Sequence, residues 1–252
     1  MGGAVKRIAL LLALCLALAL GAPAALAAEE ARVGAAPDTV VLLHGLAQSD
    51  LSMRLLAMRV RSAGFRVHAL RYESTRKEPR ALVHDLAGEL TECCAEAPRL
   101  HFVTHSLGGL LLRAYLAERE LPNLGRVVML APPNHGSELI DKVAGWWVLR
   151  MLFGPIAPQL GTSPESLPNR LPPADFEVGV IAGTRSLNPL GAWLIPSEND
   201  GSVSVASARL DGMRDFVTVP VSHTLILLSS AAARQTVAFL ADGHFAHPEA
   251  AN

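Results

Sequence analysis

The segment Thr104-His105-Ser106-Leu107-Gly108-Gly109 constrains this chain more than any other. It follows a β-rich run, Leu100 to Thr104, and opens a helical pattern, Leu107 to Glu118. A serine held in a tight turn from strand to helix needs small neighbours, because the two elements must approach closely there. Gly108 and Gly109 meet that need on the helix side, while Thr104 stands where the strand side usually has a glycine.

The rest of the chain keeps the same rhythm of short β-rich runs and helical patterns, which predicts a mostly parallel sheet flanked by helices. Thr39 to Leu43 reads as a strand stopped by Gly45. Ser49 is the expected cap of a helix with apolar positions Leu51, Leu55 and Met58, ending near Gly64. Phe65 to Leu70 is the next strand. A helix from about Arg80 to Cys94 places Leu82, Leu86, Leu90 and Cys93 on one face, and a strand spans Arg126 to Ala131. Between about Gly136 and Pro173 the rhythm breaks, with Trp146, Trp147, Phe153 and a Pro-rich connection. It resumes with strands at Phe176 to Ala182 and Phe216 to Val219 and a last helix from about Leu225 to Leu240. One domain over 28–252, with an insertion at 137–173 as a candidate cap, accounts for the pattern.

Residues 1–27 read as a signal peptide. Lys6 and Arg7 precede an uncharged Leu/Ala-rich run from Ile8 to Leu20, and Ala25-Leu26-Ala27 gives a small-residue cleavage signal. A permanent span needs about 20 apolar residues, more than this run offers. The formal net charge of −1 gives no bulk attraction for nucleic acid or an anionic membrane. Cys93 and Cys94 are neighbours, and neighbours bridge only with strain, so the fold is not expected to depend on disulfides. Neither does a nearby His or Cys complete a metal-ligand set around them.

A free serine is a weak nucleophile and needs a base, which in turn needs an orienting acid. His223, in Val219-Pro220-Val221-Ser222-His223-Thr224, lies beyond the last strand, where a loop histidine can reach back over the sheet. Asp200, in Glu198-Asn199-Asp200-Gly201-Ser202-Val203, is the expected acid, with Glu198 and Asp215 as alternatives. The strand that ends in His44-Gly45-Leu46 brings a backbone N–H beside the serine. The expected oxyanion donors are therefore the N–H groups of Leu46 and Leu107. His44 and His135 read as structural residues.

Taken together these motifs resemble small bacterial esterase/lipase members of the α/β-hydrolase superfamily. The likeness covers the His44-Gly45 loop, the Ser106 turn, Asp200-Gly201-Ser202-Val203, Ser222-His223, Tyr72-Glu73-Ser74-Thr75 and Pro133-Asn134-His135-Gly136-Ser137. In such proteins threonine is accepted at the Thr104 position. The resemblance implies an α/β-hydrolase fold and Ser–His–Asp chemistry on Ser106, His223 and Asp200, without metal or organic cofactor. A small-molecule or lipid ester is the implied substrate class, with transient contact at a membrane or lipid interface and no nucleic-acid partner. Trp146, Trp147, Phe153 and Tyr72 are the candidate substrate-binding residues; the alternative for the aromatic residues of the insertion is burial against the core, and for Tyr72 it is closing the strand end. An acyltransferase or thioesterase on the same residues, or a binding protein on the same scaffold, are the other readings. Sequencing the N-terminus of the exported chain is expected to give a start near Ala28; a retained Met1 would contradict export by cleavage and favour an anchored protein.

Overall fold

The computed structural model describes residues 37–143 and 147–247, so the expected signal peptide and Trp146 lie outside the described residues. The first half runs β1 (Thr39–Leu43), a 3-10 turn (Asp50–Met53) leading into α1 (Arg54–Ser62), β2 (Arg66–Leu70), α2 (Pro79–Cys94), β3 (Leu100–His105), α3 (Leu107–Glu118) and β4 (Leu124–Leu130). The insertion follows with α4 (Glu138–Val143), α5 (Trp147–Phe153), a 3-10 turn (Ala157–Leu160) and α6 (Leu167–Arg170). The second half adds β5 (Val178–Gly183), α7 (Pro189–Leu194), α8 (Val205–Ala208), β6 (Asp215–Val219) and α9 (Ser230–Asp242).

The six strands form one parallel sheet in the order β2-β1-β3-β4-β5-β6. The chain steps outward from β1 to β2, then crosses back to β3 on the other side of β1. In open parallel sheets such a reversal leaves a crevice at the carboxyl ends of the two strands. Both faces are covered, so β1, β3 and β5 are buried along their whole length rather than at alternate residues. Val40 and Leu42 of β1 face a cluster with Leu56 and Val60 of α1 and Phe239 of α9. Val41 and Leu43 face the opposite cluster, with Leu86 and Leu90 of α2 and Tyr115 of α3. Burying each such side chain is worth about 1.5–3 kcal/mol. A third cluster joins Leu107, Leu110 and Leu111 of α3 to Ile156, Leu160 and Leu167 of the insertion.

Several local expectations are corrected. The buried face of the first helix is Met53, Leu56, Ala57 and Val60, while Leu51 and Met58 are exposed. Asp50–Met53 winds as a 3-10 turn, which changes the phase before α1 begins, and Ser49 makes no side-chain cap. At the end of the chain, Leu225–Leu228 is a separate 3-10 turn. The last helix starts at Ser230, because Ser229 Oγ accepts from Ala232 N–H and restarts the winding. Cys93 and Cys94 are joined by a disulfide in the last turn of α2. Because the bonded residues are adjacent, the bridge closes no long loop and removes little chain entropy; the apolar clusters carry the fold.

Arg113 of α3 ties the insertion to this frame. Its buried guanidinium donates to Asn134 O and Oδ1 and to the Leu171 and Pro172 carbonyls. Burial pushes it down to about 10, so it stays charged. Asn134 in turn donates to Ala208 O of α8. α3, the insertion's exit and, through Asn134, α8 are thus joined around one cation.

Candidate active site

β3 ends at His105 and α3 begins at Leu107, so Ser106 is the single residue of the turn between them. Its backbone lies at φ 50° and ψ −120°, a conformation that costs a residue with a side chain about 1–3 kcal/mol. Neighbouring contacts hold it there. Ser106 N–H donates to Leu130 O at the end of β4 (3.0 Å). On the helix side, a Cβ at Gly108 would stand 2.5 Å from Leu43 O and 2.9 Å from His44 O, so the first turn of α3 rests directly on the end of β1. Gly109 has a different role. A Cβ there would press within 3.2 Å of Thr104 Oγ1, so this glycine makes the room that the threonine occupies.

His223 follows β6 and Asp200 follows β5, and both return to Ser106 over the carboxyl edge of the sheet. His223 Nε2 lies 3.0 Å from Ser106 Oγ, and His223 Nδ1 lies 2.8 Å from Asp200 Oδ2. The other carboxylate oxygen, Asp200 Oδ1, accepts the N–H groups of Ser202 (2.9 Å) and Val203 (2.8 Å). At 2% exposure this carboxylate is dry, and those bonds replace its lost hydration. Gly201, at φ 98°, makes the turn that aims both N–H groups at Asp200. Gly183 at the end of β5 leaves the space beneath, since a Cβ there would be 2.8 Å from Asp200 Cβ. Ser137 Oγ donates to Ser202 O and Ser204 Oγ to Glu138 Oε1, fastening the acid loop to the start of the insertion. Glu198 is exposed and Asp215 lies at the far end of β6, bonded to Phe245 N–H and His247. Partial burial pushes Asp215 up, but those bonds outweigh it and hold the carboxylate below its ordinary range.

The loop after β1 supplies the other wall. Gly45 N–H donates to Gln48 Oε1 (3.0 Å), and Ala47, at φ 55°, donates its N–H to buried Ser74 Oγ (3.1 Å). Leu46 N–H has no acceptor among the described residues. Leu107 N–H, in the first turn of α3, has none within its helix either. His44 is buried beneath this loop, its ring stacked on Tyr72 at a 4.0 Å centroid distance. Burial lowers its pKa, so it is neutral.

A cavity of about 260 Å³ opens over Ser106 and His223. Leu46, Ile140, Phe153, Leu160 and Val203 give it a mainly apolar wall, with Arg150 a charged residue on its lining. Of the four residues expected to bind substrate, Phe153 is on this lining. Trp147 is not; it stands 72% exposed on the outer side of α5. Tyr72 is not either, because its hydroxyl donates to His44 O and its ring stacks below the loop. Trp146 lies outside the described residues. The insertion is therefore both core and wall: Ile156, Leu160 and Leu167 bury against α3, while α4 and Phe153 line the cavity. Gln48 and Arg113, which shape the site, were not among the expected residues, and Ser74 and Ser137 stood only within motif stretches without a role. Their partners are mainly backbone groups, which carry no side-chain signature. Among the described residues no group of three or more His, Cys, Asp or Glu is placed to hold a metal ion.

A palmitoyl protein thioesterase family model matches residues 39–162. No curated protein sequence matches the chain. Among solved structures, a Bacillus licheniformis lipase in mature form is similar at a TM-score of 0.64 and 20% identity, over 82% of this chain and 93% of that one. An esterase from a Rhodococcus species matches at 0.54 and 15%, over 82% and 91%. A Legionella pneumophila phospholipase matches at 0.56 and 20%, over 68% and 44%. At these identities the likeness establishes the fold, which is that of the α/β-hydrolases.

Asp200→Asn keeps an acceptor for Ser202 and Val203 but turns an NH₂ towards His223, forcing the imidazole into the wrong tautomer. Reaction of Ser106 with a fluorophosphonate is expected to slow by about 10⁴-fold, with the melting temperature little changed. An unchanged rate would contradict any role for Asp200 in orienting His223.

Proposed function

We propose that this chain, with its α/β-hydrolase fold, is an exported serine hydrolase that cleaves carboxylic esters with apolar acyl groups through an acyl-enzyme. The observation that carries the reading is the hydrogen-bonded run from Ser106 Oγ through His223 to Asp200, at 3.0 and 2.8 Å, opening onto an apolar cavity.

In this reading His223 Nε2 takes the Ser106 proton as Oγ attacks the ester carbonyl. Asp200, dry and held by two backbone N–H groups, keeps Nδ1 protonated and stabilises the imidazolium that forms. The N–H groups of Leu46 and Leu107 receive the tetrahedral oxyanion; one such donor is typically worth about 10²–10³ in turnover. His223 then protonates the departing alcohol. Water repeats the sequence on the acyl-enzyme and returns the proton to Ser106. Chain groups and water handle every proton and electron pair, so no cofactor is invoked. The cavity's apolar wall fits the acyl chain, and desolvating that chain supplies binding.

A second reading, hydrolysis of S-acyl thioesters, is favoured by the palmitoyl protein thioesterase match over residues 39–162. The two differ only in the leaving group. Both are tested by assaying the purified mature protein on p-nitrophenyl esters of graded acyl length beside acyl thioesters of the same lengths. Ester hydrolysis that rises with acyl length and drops on the order of 10⁶-fold in Ser106→Ala is the expected result. Thioester rates well above ester rates would favour the second reading, and no turnover of either by folded wild type would overturn both.

A further inference from the structure

His105 has no part in the proton path from Ser106 to Asp200, yet its imidazole is buried between two site loops at 1% exposure. On one side Nε2 lies 3.0 Å from the main-chain oxygen of His223. On the other, Nδ1 lies 3.0 Å from the Gln48 side chain. The Gly45 backbone presses against the same ring edge, where a Cβ would stand 2.8 Å from Nδ1. One side chain therefore touches both the loop that carries the base and the loop that carries Leu46 N–H.

Burial first, with the neighbouring His223 imidazole second, pushes His105 down to about 3. The ring is thus neutral at ordinary pH and carries one N–H. Gln48 Oε1 already accepts Gly45 N–H. No other donor among the described residues reaches the His223 oxygen. With the proton on Nε2 and donated to His223, neither carbonyl oxygen lacks a donor, and the Nδ1 edge meets the Gly45–Gln48 turn as a packing contact rather than a hydrogen bond. His223 is then held at both ends of its backbone, because its own N–H donates to Asp200 O (2.9 Å).

We propose that His105 is a positioning residue: its Nε2–H fixes the His223 backbone, and its far edge sets the spacing of the Leu46 loop around Ser106. The inference rests on the Ser106–His223–Asp200 reading above. His105 is also the last residue of β3, so both loops take their positions from the sheet itself.

The test compares His105→Gln, His105→Asn and His105→Leu with wild type, in fluorophosphonate labelling of Ser106 and in ester kinetics. A glutamine amide nitrogen reaches the place of Nε2, whereas an asparagine amide nitrogen reaches only the place of Nδ1. Glutamine is expected to stay within about threefold of wild type, while Asn and Leu lose roughly 10- to 100-fold in labelling rate and kcat with KM nearly unchanged. Melting temperatures of the Gln and Asn variants should match, which separates positioning from stability. Wild-type rates in Asn and Leu, or equal losses in Gln and Asn that track their melting temperatures, would overturn the proposal. A folded wild type that does not label at all would instead overturn the Ser106 reading, and the role of His105 with it.

Discussion

Ser106 is held at φ 50° and ψ −120°, a conformation it would not choose, and the surroundings that impose it organise the rest of the site. α3 can reach the end of β1 only because Gly108 lacks a side chain. That approach sets Leu107 N–H beside the loop after β1 and points the serine hydroxyl into the crevice at the sheet's reversal. The opposing cost is modest, about 1–3 kcal/mol of backbone strain. The three apolar clusters of the fold outweigh it. Strain here is a geometric device: it exposes a hydroxyl that a relaxed helix start would bury.

The second constraint is electrostatic. A carboxylate at 2% exposure would be expensive unless its lone pairs were met, and Asp200 meets them with two backbone N–H groups and His223. The acid loop is in turn fastened to the insertion through Ser137 and Ser204. Sheet, acid loop and insertion are therefore tied together: two hydroxyls, of Ser137 and Ser204, join the start of the insertion to the loop that carries Asp200. Arg113 adds a further tie through Asn134 and the insertion's exit.

How much of this was legible in the sequence depended on whether a feature announces itself by residue type. The parallel sheet was legible because its strands are short β-rich runs that alternate with helical patterns. Ser106 could be singled out by its place between strand and helix and the glycines after it, Asp200 by its Gly-containing loop, and His223 by its place beyond the last strand. The phase of α1 could not, since Leu51, Leu55 and Met58 are spaced as well as Met53, Leu56 and Val60, and only the 3-10 turn at Asp50–Met53 decides between them. The break before α9 turned on one capping serine, Ser229. For Tyr72 the sequence left pocket wall and strand end equally open; its hydroxyl donates to a backbone carbonyl, which no residue type announces. His105 was hidden for the same reason, because its partner at His223 is a main-chain oxygen that any residue would present.

The central claim is that an acyl group passes through Ser106. Brief mixing of the protein with an activated ester, acid quenching and mass analysis of its peptides tests that claim directly. The account predicts a mass increment equal to the acyl group on the peptide containing Ser106, appearing faster than turnover and absent from Ser106→Ala. Hydrolysis that proceeds at full rate in Ser106→Ala, or an adduct confined to another residue, would contradict it.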